Sequence, residues 1–152
     1  MRVRLLLPMA AVFALLISVL RADDPPKDIE AAKKRVAELL QAVSVPYEVG
    51  EYASARVLAG QALSLADAEI GSESREAADA ARWLGLIERA AGDLAPARSH
   101  CERAVSVCLQ VLGEDHVETA ASLNALAAVL RDQGDLEGAR SVYERALSIR
   151  QK

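Results

Sequence analysis

From Asp28 onward the apolar residues fall three and four places apart, the spacing that gathers them on one face of an α-helix. Leu123, Leu126, Ala127 and Leu130 make such a stripe near the end of the chain; Ile29, Ala32, Val36, Leu39, Leu40 and Val43 make another near its start. Polar and glycine positions divide the stripes. Asp115 stands where a helix from about His116 to Gln133 needs an N-cap, and Glu118, three residues on, completes a capping box. Gly134 ends that helix, because glycine adopts the left-handed conformation without steric cost. Asp135 can cap the next helix, which runs to about Arg150. The same pattern predicts helices near 74–91 and 94–111, and an opening helix from about Asp28. Pro46 removes a donor and disfavours α geometry in the residue before it, which predicts a kink or break at Ser44–Pro46.

The pattern also repeats. "GDLEGARSVYERAL" (134–147) restates "GDLAPARSHCERAV" (92–105) and, more faintly, "GEYASARVLAGQAL" (50–63). Gly50, Gly92 and Gly134 stand 42 residues apart without a gap, and Ala55, Ala97 and Ala139 keep the same register. A fixed period in this range predicts a stacked array of helical pairs, each burying its apolar face against the next. The units are 28–69, 70–111 and 112–152, the first of them degenerate, as a unit that packs on one side only can be. Alanines 55, 62, 97, 104, 139 and 146 are small where two helix backbones must approach closely. The expected fold is all-α, a right-handed solenoid of three stacked helix-turn-helix units.

Residues 1–22 differ in kind. A basic "MRVR" precedes the uncharged "LLLPMAAVFALLISVL", and a small residue, Ala22, stands at a plausible cleavage point. This predicts a signal peptide over 1–22 and a linker over 23–27, hence an exported protein, periplasmic or secreted. The alternative is an uncleaved inner-membrane anchor, for which sixteen apolar residues interrupted by a proline are short of the ~20 that span a bilayer. Arginines outnumber lysines fourteen to four, which points to a bacterial source. The whole chain has a formal charge of −4; without Arg2, Arg4 and Arg21 it is −7. Such a balance argues against nucleic acid as a partner, since that binding relies on cations neutralising phosphates.

With the register in hand, a family likeness emerges. "LGEDHVETAASLNALAAVLRDQGDLEGARSVYERALSIRQK" (112–152) resembles the kinesin-light-chain variety of the tetratricopeptide repeat, whose pattern carries TA..LN.LA..L...G....A...Y..AL.I. The likeness is good over 70–111 and weak over 28–69. It implies a scaffold that binds a peptide or protein surface in a concave groove, lined mainly by the first helix of each pair. On the first helices, the stripe opposite the core holds Asp79, Arg82, Leu86 and Arg89 in the second unit, and Ala121, Asn124, Ala128 and Arg131 in the third. The arginines present planar forks suited to carboxylates, so the expected ligand is an acidic or carboxylate-ended segment held by Arg82, Arg89 and Arg131, with Asn124 as a backbone partner. Asp79 and Asp132 stand close enough in sequence to neutralise them, and Arg89 and Arg131 also suit the negative carboxyl ends of their helices. Trp83 is either packing mass or an anchor at the groove edge. It occupies a position where the family often has an asparagine; Gln41, Trp83 and Ala125 all depart from that pattern.

Other chemistry finds little support. Cys101 and Cys108 lie seven apart on one helix, ~10 Å along its axis, too far for a disulfide between them. They are expected to be small buried hydrophobes, with intermolecular pairing as the alternative. Together with His100 and His116 they lack the i, i+4 spacing of a helical metal site. No Gly-rich phosphate loop, GxSxG or convergent carboxylate pair appears. The reading is a non-enzymatic protein-binding module, without cofactor or metal, acting as a monomer or weak dimer; an envelope assembly factor held at the membrane is the alternative.

Overall fold

The computed structural model describes residues 28–151, which form six α-helices. They pair in order: α1 (Ile29–Glu48) with α2 (Tyr52–Glu69), α3 (Arg75–Ala91) with α4 (Leu94–Val111), and α5 (Val117–Asp132) with α6 (Leu136–Arg150). Each hairpin turns on a glycine at positive φ: Gly50 at 80°, Gly92 at 89° and Gly134 at 86°. In each, the amide after the glycine closes on a carbonyl five residues back, Glu51 to Pro46, Asp93 to Glu88 and Asp135 to Leu130, at 2.8–2.9 Å. That bond satisfies a carbonyl the helix would otherwise leave unpaired, and its recurrence is the physical content of the 42-residue period.

The predicted break at Ser44–Pro46 does not occur. Helix α1 continues through Pro46 to Glu48. Pro46 lies in the last turn, so its ring costs one helical hydrogen bond near an end. Its carbonyl, which proline retains, accepts the closing bond from Glu51. Burial of the ring adds to this. A second correction concerns α5. His116, not Asp115, is the N-cap; its Nδ1 accepts the Glu118 amide at 3.2 Å. Glu118 makes no capping box there and instead pairs with Arg75 of the preceding unit. Asp28 and Asp135 cap α1 and α6 through their carboxylates, and Ser74 caps α3 through its hydroxyl.

The predicted small residues sit at the backbone crossings. Ala55, Ala62, Ala97, Ala104 and Ala146 are fully buried, and Ala139 nearly so. The opening stripe is buried from Ala32 to Val43, but Ile29 at its start is exposed. Within the hairpins the two helices pack along their length. Between them, α2 packs on α3 and α4 on α5. The first helices of successive units also meet, α1 with α3 and α3 with α5, while no comparable packing joins α2 to α4 or α4 to α6. The row α1–α3–α5 is therefore the inner face. Helix α6 closes the described array and buries three side chains, against six in α4, which is covered on both sides.

Candidate functional site

Four of the stripe residues form one pair and, around Asp132, one shared cluster. Arg82 is tied to Asp79, one turn earlier on the same helix. Arg89, at the carboxyl end of α3, reaches across to Asp132 of α5 at 3.0 Å. Arg131 folds onto the same carboxylate, at 2.9 Å from Nη2 and 3.1 Å from Nε. The Arg131 hydrogen bond, reinforced by Arg89, holds the Asp132 carboxyl below its ordinary value, and Asp132 in turn raises Arg131. Two guanidinium groups thus share one carboxylate, which leaves this corner with one positive charge beyond its acid. Arg82 keeps no such excess.

Asn124 is half-buried on α5, and among the described residues its amide makes no hydrogen bond. Leu86 packs against the small cluster of Ala97, Cys101, Ala125 and Val129 between α4 and α5. Trp83 stands edge-on to Tyr47 of α1, ring centroids 5.8 Å apart and planes at 80°. It joins the core shared by the first two units. An aromatic at this position fills the space between two first helices, and Gln41 and Ala125 are its equivalents in the other units.

A hollow of about 430 Å³ opens at the amino-terminal ends of the first helices. Val36, Ala37 and Leu40 of α1 give it an apolar side; Lys33, Lys34, Arg75, Glu76, Asp79 and Glu118 give it charges of both signs. The sequence reading had not singled out Lys33, Lys34 or Arg75. Lys33 and Arg75 are equivalents 42 residues apart, but the third unit has Val117 there and Lys34 has acids as its equivalents, Glu76 and Glu118, so their signal is faint. Arg89 and Arg131 are at the opposite ends of α3 and α5, so the inner face has two chemically distinct ends.

The histidines and cysteines have structural employment. His100 Nδ1 lies 2.7 Å from a carboxylate oxygen of Glu88, which is 5% exposed and among the few buried polar side chains. Cys101 and Cys108 are free and buried. Burial pushes the Cys101 thiol up to about 12, and Cys108 upward as well, so both stay protonated at neutral pH and are poor nucleophiles. Among the described residues, no group of three or more His, Cys, Asp or Glu side chains gathers as a metal site would require, and no helix is long and apolar enough to cross a membrane. The predicted signal peptide and linker lie outside the described residues.

Comparison with known proteins agrees with this architecture. The fold is similar to that of BtubC (BKLC) from P. vanneervenii, at a TM-score of 0.79 and 20% identity over 94% of this chain and 56% of that one. It is also similar to a P. anserina kinesin-light-chain-type protein with nearly identical TPR-like repeats, in two crystal structures with TM-scores of 0.72 and 0.71 at 20% and 19% identity. Both comparisons cover 93% of this chain and 66% of that one, so the chain spans between about half and two thirds of the lengths of these neighbours. A search of curated proteins finds no match. The tetratricopeptide repeat family model matches residues 76–152, just over half of the chain, and the chain belongs to that family.

Proposed function

We propose that this protein is a non-enzymatic scaffold whose inner face, the row α1–α3–α5, binds an extended segment of a protein partner. The single observation that carries the reading is the open hollow of about 430 Å³ along that row, with an apolar side and charged walls. Its shape admits a chain segment, and its mixed charges select the segment's polar groups. Tetratricopeptide repeat proteins are in general non-catalytic and bind protein partners, which favours the same conclusion. At the far end of the row, the Arg89–Arg131–Asp132 cluster has one cation in excess. An acidic side chain or terminal carboxylate of the ligand can displace Asp132 there, and the free Asn124 amide can take a backbone group.

The test is the pair Arg89→Ala and Arg131→Ala made together. Binding of the native partner should weaken roughly tenfold to hundredfold, the worth of one or two charge-assisted hydrogen bonds, while helicity is retained. Added salt should weaken wild-type binding too, because exposed charges are screened within about 8 Å at physiological ionic strength. Normal binding by the double variant, indifferent to salt, would mean that the ligand is held by apolar contact around Leu86 and Trp83 instead.

We also propose that the chain works after export. The support is the basic start, apolar stretch and small residue over 1–22. Intact-mass analysis of material from the source cell should then place the N-terminus at Asp23. Recovery of the chain from membranes with Met1 retained would establish the anchored assembly factor in its place.

A further inference from the structure

The last helix presents a face that the earlier units keep covered. Leu147 is 55% exposed, while its equivalents Val105 and Leu63 are each 8% exposed beneath the following unit. Leu136, Tyr143 and Leu147 border a hollow of about 370 Å³ whose rim holds Arg131, Arg140 and Glu144. At the other end, α1 has the complementary defect. Val45 is 42% exposed, whereas its equivalents Ile87 and Val129 are fully buried against the unit before them. Each end of the array therefore shows half of the joint that the interior completes.

The charges at the two ends match in the register of that joint. Inside the array Arg89 pairs with Asp132, one unit and one residue further on. Arg131 is the next copy of Arg89, and the residue that would face it in a following first unit is Glu48. Arg56 pairs with Asp93 in the same way. Its third-unit copy is Arg140, and the residue that would face it is Glu51. The middle copy, Arg98, takes Glu102 instead, with Asp135 near enough to raise it further. A third position agrees. Cys108 meets Ser122 at 3.4 Å; the corresponding end residues are Arg150 and Glu38. Cations thus occupy these three places on the α6 end and acids the three on the α1 end, and all six residues are exposed. The two other cross-unit ion pairs, Arg75–Glu118 and Arg103–Asp67, have Val117 with Lys34 and Gln151 with Gln61 as their end copies, which add no ion pair.

We infer that a second copy of this chain docks its α1 end onto the α6 end of the first, so that the protein associates head to tail and continues its own solenoid. The contact is heterologous: it joins two different surfaces, leaves one of each free, and can propagate rather than close. The ion pairs that Arg131 and Arg140 now make with Asp132 and Glu144 are short-range and solvent-exposed, so exchanging them for Glu48 and Glu51 of the next copy sacrifices little. Tyr143 and Arg150 are bulkier than the Cys101 and Cys108 they replace, which makes this joint looser than the covalent ones and dependent on charge.

The experiment uses the purified full chain and two charge-reversed variants, Arg140→Glu with Arg150→Glu, and Glu38→Arg with Glu51→Arg. Neither changes the Arg89–Arg131–Asp132 cluster, so partner binding is read separately. Circular dichroism checks that both remain helical. For the wild type, the weight-average mass in sedimentation equilibrium should rise with concentration past the dimer, and less steeply at high salt. Each variant alone should associate at least about tenfold more weakly, since its two ends then carry like charge. Their equimolar mixture should associate again, because each end then meets its opposite. A wild type that is monomeric at every concentration, as it would be if residues 1–27 covered the α1 end, overturns the inference. So does a wild type that stops at a dimer with the Glu38/Glu51 variant still dimerising, which is the signature of two α6 faces meeting each other.

Discussion

Replacing Gly85 by valine should destabilise the fold by about 3 kcal/mol, at the upper end of what overpacking a close contact costs. Gly85 sits mid-helix in α3, where glycine is normally a liability of up to ~1 kcal/mol relative to alanine. It is kept by crowding. A Cβ there would overlap Cys101 Sγ and stand 3.1 Å from the Ala97 carbonyl and 3.3 Å from the Cys101 amide, so backbone as well as side chain must give. The first unit solves the same position differently, with Val43 on one helix and Ala59 across from it in register, both fully buried. The double substitution Gly85→Val with Cys101→Ala recreates that pair in the second unit and should recover most of the loss. Chemical denaturation of the wild type, both singles and the double measures this coupling. Purely additive effects would show that Gly85 is crowded by something other than Cys101.

Truncating Ile87 to alanine should cost about 2–5 kcal/mol, the range for a buried aliphatic that leaves a cavity. Ile87 is fully buried, among the largest side chains to be so, in the core shared by the first two units. Its copy in the first unit, Val45, has the same register and lies half in solvent. Val45→Ala should therefore change monomer stability by no more than about 0.5 kcal/mol. Denaturation of dilute samples gives both values. Comparable losses at the two positions would mean that the α1 end is covered in the monomer.

This contrast also marks what was legible in the sequence. Register was, because close helix crossings demand small residues and hairpin turns demand a left-handed one, so Ala55, Ala97 and Ala139 and Gly50, Gly92 and Gly134 announce themselves. The fold class and the six helices follow from these. Pro46 misled because the rule against proline concerns its missing N–H and its ring, while the hairpin here uses its carbonyl. The α5 cap was placed one residue early, since Asp115 and His116 are both competent acceptors and only geometry chooses between them.

The candidate site was less legible than the fold. The stripe count placed Arg89 and Arg131 on neighbouring helices, and they do converge. Their convergence on a single carboxylate depends on side-chain reach across units, which spacing within one helix does not encode. The hollow between α1, α3 and α5 draws on three units at once, and its charges keep no constant sign along the repeat: Lys34 has Glu76 and Glu118 as equivalents, Lys33 and Arg75 have Val117, and Asp79 has Ala37 and Ala121. Trp83 packs on Tyr47, a contact between a degenerate unit and its neighbour that no repeat pattern contains.

The proposed function assigns partner binding to one face, so that face is the most direct test. A photoreactive residue placed at Ala37 or Asn124, on the first helices, should cross-link the native partner in the source cell. The same residue at Val57 or Ser106, exposed on the second helices, should not. The account predicts one cross-linked species, of the same mass from both inner positions. Cross-linking from the outer positions alone would contradict it and move the binding surface to the other side of the solenoid.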